Sequence, residues 1–164
     1  STEKIVHVGV TWEPTGKTSG TIEGGRTSKD FDSAATADQG KTSSWAVNVN
    51  WHPQTYSTVS LKSSRRTDES VYRGNFTIAQ DTTLNCKHEW NSRFATTLSL
   101  LGGKDKYGSI TREDKRSEVG LSLDYKPRRW LTLGAGYTAT ERDSTSNTAD
   151  YKRNLFRLSL TASM

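Results

Sequence analysis

Residues 11–20 read TWEPTGKTSG, and Gly16-Lys17-Thr18 has the form of the end of a phosphate-binding loop. Such a loop needs G-x-x-x-x-G-K-[ST], because its first glycine lets the backbone amides curl around the phosphates. Position 11 is Thr11, and the following SGTIEGGRTSKDF has no helical spacing. A phosphate-binding loop opens a helix, so the stretch is not read as a nucleotide site. Cys86 and His88 are the next candidates, since two residues apart on a strand they share one face. Their neighbours of the same parity are Leu84 and Trp90, and no third ligand accompanies them. Zinc sites need three or four donors, so packing against an apolar surface is the expected role. His7 and His52 stand at no ligand spacing, and the acidic residues are scattered. No Ser-His-Asp grouping can be argued from their order. Asn75-Phe76-Thr77 matches a glycosylation acceptor, a pattern too short to carry weight alone. The expectation is no catalytic site, no metal and no cofactor.

Without chemistry to position, the question becomes what elements this chain builds. Its 164 residues suit one domain. Hydrophobic residues make up only 31% and mean hydropathy is −0.78, which alone would suggest disorder. Five Trp, six Tyr and four Phe argue otherwise. Ser and Thr number 43, and Thr favours strands. A sheet apolar on one face only reconciles these facts. The net charge of +5 is spread along the chain, and its densest runs, Ser64-Arg65-Arg66 and Lys126-Pro127-Arg128-Arg129, are short. Nucleic acid would call for a clustered basic patch, so no nucleic-acid partner is expected. The single cysteine excludes an internal disulfide. No run approaches the ~18 apolar residues of a membrane helix.

Four segments align without gaps from an aromatic anchor. They are WEPTGKTSGTIEGGR (12–26), WHPQTYSTVSLKSSR (51–65), WNSRFATTLSLLGGK (90–104) and YKPRRWLTLGAGYTA (125–139). The anchors Trp12, Trp51, Trp90 and Tyr125 are 39, 39 and 35 residues apart. Pro14, Pro53, Ser92 and Pro127 follow two positions on. A fixed period marks a repeated supersecondary unit. Before each anchor the chain tends to alternate, as in Val6-x-Val8-x-Val10-x-Trp12, Trp45-x-Val47-x-Val49-x-Trp51 and Val119-x-Leu121-x-Leu123-x-Tyr125. Period-two alternation is a strand with one apolar face. Proline then ends the ladder at a short turn, and a second strand returns. Gly16-Lys17-Thr18 therefore reads as one of four equivalent hairpin turns.

Strands are expected near 3–13, 17–29, 44–52, 56–66, 74–90, 93–104, 116–126, 130–142 and 151–163. Between units lie long polar connections at 30–43, 65–74, 104–116 and 141–150. Short turns at one end and long loops at the other is the layout of an outer-membrane β-barrel. Alternation alone does not separate such a barrel from a soluble antiparallel one. Two features favour the membrane: the non-apolar face is polar along its whole length, and the aromatics gather at one strand end. The fold class predicted is thus all-β, an antiparallel up-and-down transmembrane β-barrel with about nine strands here. Trp12, Trp51, Trp90 and Tyr125 would form an interfacial girdle. Val47, Val49, Ile78, Leu84, Leu98, Leu121, Leu123, Leu133, Leu158 and Leu160 would face lipid. Asn48, Asn50, Ser60, Lys62, Asn85, Lys87, Glu89 and Asp124 would line the lumen.

The repeated W-x-P with its following T-x-S/T strand, EWNSR at 89–93, and RRWLTLGAGYTATERDS leading to DYKRNLFRLSLTASM carry a resemblance. Along nearly its full length the chain resembles the β-barrel porin family of exopolysaccharide operons, in particular its EpsL-type members. The resemblance implies a bacterial outer-membrane barrel made alongside exopolysaccharide machinery, passing polymer across that membrane. It implies as partners outer-membrane lipid, a glycan polymer and periplasmic export components, and it offers no catalytic residues. Members are longer, so residues 1–164 would be a single barrel domain or the C-terminal portion of one. One departure stands out: such barrels usually end in an aromatic residue, whereas here the last strand alternates through Phe156, Leu158 and Leu160 to Met164.

Two functions follow, a conduit for glycan or small solutes and a non-conducting scaffold. A general small-solute porin is a variant of the first, and an outer-membrane hydrolase or acyltransferase a more distant reading. Lumen width separates conduit from scaffold, because small barrels fill their interior with side chains.

Overall fold

The computed structural model describes residues 2–30, 41–69, 76–107, 112–145 and 149–163. They form nine strands: β1 (Thr2–Thr15), β2 (Thr18–Asp30), β3 (Lys41–Gln54), β4 (Ser57–Glu69), β5 (Phe76–Asn91), β6 (Phe94–Tyr107), β7 (Arg112–Arg128), β8 (Leu131–Ser144) and β9 (Tyr151–Ala162). Each strand pairs antiparallel with the next, in one sheet ordered β1 through β9. All nine expected strands are present. Most overrun their expected ends, chiefly toward the long connections: 65–69, 104–107, 112–115 and 143–144 are strand rather than loop. There both faces are polar, so alternation disappears although the hydrogen-bonded ladder continues. Asn75 lies outside the described residues.

The opposite ends close in two-residue turns at 16–17, 55–56, 92–93 and 129–130. Gly16 and Lys17 are the first of these, with Thr18 opening β2. The ladder slips just before every turn, between Trp12 and Thr15, Trp51 and Gln54, Glu89 and Asn91, and Tyr125 and Arg128. In three units a proline sits inside the slip, and proline has no N–H to donate to a ladder. The unit lacking proline uses Asn91 instead. Its Oδ1 accepts from the backbone N–H groups of Arg93 and Phe94, both at 2.9 Å, an Asx turn that mimics a backbone turn. Neighbouring hairpins are then joined by repeating backbone bonds. Lys17, Tyr56 and Arg93 offer carbonyls to the N–H groups of His52, Glu89 and Lys126 at 2.7–2.8 Å.

The two faces differ. From Lys115 to Tyr125 on β7, odd positions are exposed and even positions covered or half-covered. The same alternation runs along β8. Such asymmetry is expected when a sheet curls, since side chains on the inner face converge. The outer face is the apolar one, with Val119 at 51% and Leu158 at 87% exposure. The buried apolar core is accordingly minimal: Ala79 is the single buried hydrophobic among the described residues. β1 and β9 lie at the two edges, and no pairing joins them.

Candidate functional site

The covered face is where function would have to reside, because it gathers the polar side chains. Register places Asn48, Asn50, Ser60, Lys62, Asn85, Lys87, Glu89 and Asp124 on this face, where Asn48, Lys62, Lys87 and Glu89 are exposed and the other four half-covered. Asn50 is opposite Ser60, Asn48 opposite Lys62, Ser60 opposite Asn85, and Asp124 opposite Ala95. The ten apolar candidates, from Val47 to Leu160, share the other face through rows such as Val49–Leu61–Leu84–Leu100–Val119. Trp51, Trp90 and Tyr125 are exposed on that apolar face at the short-turn end. Trp12 lies there too, its ring packed over Gly20 where a Cβ would collide with it at 2.3 Å.

One row crosses the middle of the covered face without a charge. It runs Ser19–Asn50–Ser60–Asn85–Ser99–Gly120–Thr138 over seven strands. Within it Ser60 donates to Asn50 Oδ1 at 2.8 Å. Toward the short turns this row gives way to Lys87 and Arg157, then to Glu89 and Asp124. Beside it a recess of about 410 Å³ opens over β6–β9, edged by Glu118, Asp124 and Arg157. Gly120, Gly134 and Gly136 form part of its lining. The missing side chains of Gly120 and Gly136 leave space there, while at Gly134 the Ser159 hydroxyl takes that place.

Toward the long connections the covered face becomes densely ionic. Asp114 is fully buried. It accepts from Arg112 Nε and Nη2, each at 2.9 Å, from Tyr107 Oη at 3.1 Å, and from Arg142 Nη2 and Ser144 Oγ. Burial alone would raise its pKa, but the hydrogen bonds from Arg112, Ser144, Arg142 and Tyr107 outweigh it and hold the carboxyl well below the usual carboxylate range. One row further in, Arg116 bonds both Asp105 and Asp81. None of these residues stood out in the sequence, because their partners lie up to 35 residues away.

The metal and nucleophile candidates do not converge. His88 is on the apolar face, between Tyr56 and Trp90 with ring centroids 5.3 and 4.5 Å away, and it bonds Ser57 Oγ at 2.9 Å. Cys86 is level with Val59 and Leu98 on the same face. His7 is on the covered face, its ring lying over Gly25. Among the described residues no three His, Cys, Asp or Glu side chains group as a metal site.

A sheet of nine consecutive antiparallel strands, apolar outside and polar within, has its counterpart among known proteins. The family model described as "Putative beta-barrel porin 2" matches residues 1–164. The chain belongs to this β-barrel porin family. No curated protein matches it. Among solved structures this porin-family chain is similar to in-vitro folded OmpT, an outer membrane protein of Vibrio cholerae. The TM-score is 0.67 at 10% identity, covering 98% of this chain and 55% of that one. The loop L8 deletion mutant of the same protein gives a TM-score of 0.67 at 12% identity, covering 98% and 53%. At such identities the likeness shows the fold alone, an antiparallel up-and-down β-barrel. Membership of the porin family, together with that fold, places the chain in the bacterial outer membrane. The porin-family chain spans about half the length of these outer-membrane proteins.

Proposed function

We propose that the covered face lines an aqueous conduit for uncharged, hydroxyl-rich solutes, glycan of exopolysaccharide machinery included. The apolar face meets lipid, with Trp12, Trp51, Trp90 and Tyr125 at the interface. The observation that carries this reading is the uncharged row from Ser19 to Thr138. Hydroxyls and side-chain amides both donate and accept, so they can exchange hydrogen bonds with a passing hydroxylated solute without trapping it. A fixed charge at the waist would favour ions of one sign. The resemblance to exopolysaccharide-linked porins supports the same solute class.

Liposome swelling with the closed barrel, purified from outer membranes, tests it. Neutral oligosaccharides of increasing size should enter up to a cutoff. Ser99→Arg should narrow the cutoff and make the conductance anion-selective. Impermeability to every neutral sugar, together with no conductance in a planar bilayer, would instead establish a plugged scaffold.

A further inference from the structure

The apolar face is not apolar to its end. On β4–β8 its last continuous apolar row is Leu61–Leu84–Leu100–Val119–Ala139, and beyond it on β5 Ile78 stands alone opposite Lys106. Above it, on β4–β7, comes a strip of small side chains: Ser63, Thr82, Gly102 and Ser117. A Cβ on Gly102 would meet nothing within 4 Å, so this strip is a shallow open step. The next row on the same face is basic. Arg65 pairs with Gln80, Gln80 with Lys104, and Lys104 with Lys115; Lys106 follows one row on.

The charges of this row are only partly balanced within the sheet. Lys104 and Lys115 are directly opposite one another, and like charges so placed destabilise a sheet. Glu113 serves Lys104 at 2.7 Å and Lys106 at 3.8 Å, so one carboxylate is shared between two ammonium groups. Lys115 is exposed and makes no ion pair with a described residue, although Asp143 is its neighbour on β8. The Arg65 Nε is buried with no hydrogen-bond partner. Four cations thus face two carboxylates, and among the described residues Lys115 has no ion pair. A local rule broken with only partial compensation, from Glu113 and the facing Asp143, points to a partner.

We propose that Arg65, Lys104, Lys106 and Lys115 bind the phosphorylated headgroup of an outer-leaflet lipid. The partner follows from position. The long connections of outer-membrane barrels face outward, so this rim is level with the headgroups of the outer leaflet. Phosphate oxygens would meet the lysines, the small-residue strip would receive the rest of the headgroup, and the acyl chains would descend over Leu84, Leu100 and Val119. The inference rests on assigning the apolar face to lipid.

The test uses the protein purified from membranes in detergent, offered lipid A carrying two phosphates and, separately, the same lipid without phosphate. Bound lipid is counted by native mass spectrometry. Near a membrane surface each basic residue contributes roughly fivefold in affinity, so Lys104→Gln/Lys106→Gln/Lys115→Gln should weaken retention on the order of a hundredfold. Heat-modifiable migration should show the triple variant still folded. Lys62→Gln/Lys87→Gln, on the opposite face, should retain lipid as the parent does. Equal retention by parent and triple variant, or equal binding of the dephosphorylated lipid, overturns the proposal. Loss in the Lys62/Lys87 variant instead would show that the faces themselves are assigned wrongly. Full displacement of lipid by millimolar inorganic phosphate would make this a free-phosphate site and likewise overturn it.

Discussion

Arg116 on β7 reaches Asp81 on β5 across an intervening strand, its Nη2 donating to Asp81 Oδ1 at 2.9 Å. The residue between them on β6 is Gly103, in register with both. A Cβ there would stand 2.6 Å from Asp81 Oδ1 and 3.2 Å from Arg116 Nη2. The glycine therefore opens the lane through which two strands that do not pair are held together. Arg116 also bonds Asp105 at 3.1 and 3.2 Å, so one guanidinium spans three strands.

Gly103→Ala should displace the Asp81 carboxylate without moving the backbone, because the atoms in the way end flexible side chains. The loss of one charge-assisted hydrogen bond, partly exposed, should cost about 1 kcal/mol. Gly102→Ala is the control, since its Cβ enters open space on the other face. Urea unfolding of the protein in lipid should show the first variant weakened and the second unchanged or slightly stabilised. Equal effects would mean the lane has no energetic role.

Asp114 ties the root of the 107–112 connection, through Tyr107 and Arg112, to β8 through Arg142 and Ser144. Asp114→Asn would leave two arginines without their carboxylate. Breaking a buried ion pair costs ~3–5 kcal/mol, and about 2 kcal/mol is expected here because both arginines are a quarter exposed. The sign with pH follows from the depressed pKa of the folded state. Its contribution is complete above the unfolded value of about 4 and is lost only as pH falls below that. Thermal stability of the parent relative to Asp114→Asn should be constant from neutral pH to about 5, then converge in stronger acid. A difference that already vanishes near pH 6 would contradict the assignment.

The two faces should respond differently to the same insertion. Leu121 and Asp124 are on β7, on opposite sides of the sheet. An arginine in the lipid-facing position near mid-membrane costs about 2–4 kcal/mol, and far less in the lumen. Leu121→Arg should therefore impair folding into vesicles where Asp124→Arg does not. Comparable yields would dismantle the facial assignment.

How far the sequence carried depended on whether a feature is written in local periodicity. The Val119, Leu121, Leu123 and Tyr125 alternation announces a strand and its lipid face, and Trp-x-Pro announces the turn after it. Register then follows, since a hairpin with a two-residue turn leaves little choice. By contrast REDK at 112–115 alternates nothing, because both of its faces are polar, so β7 begins earlier than the pattern suggests. The Asp81–Gly103–Arg116 lane and the Asp114 knot were illegible for another reason. Each joins residues from different hairpins, and their proximity exists only once three or four strands are in register.

Successive strands run in opposite directions, so β1 and β9 run the same way. Pairing them would make a parallel seam, and bacterial single-chain barrels avoid one by keeping an even strand number. An unpaired edge in lipid leaves backbone groups unsatisfied at several kcal/mol each. An antiparallel barrel built on this sheet therefore needs an odd number of further strands between β9 and β1, from elsewhere in the same polypeptide or from other copies. The solved barrels it resembles, nearly twice as long, are consistent with the first source. Residues 1–164 produced alone, with Cys86→Ser and new cysteines at Val8 and Leu158, should give no closed, heat-modifiable monomer and no disulfide between the two edges. A compact monomer crosslinked between β1 and β9 would show that this sheet tolerates the parallel seam that the parity argument forbids.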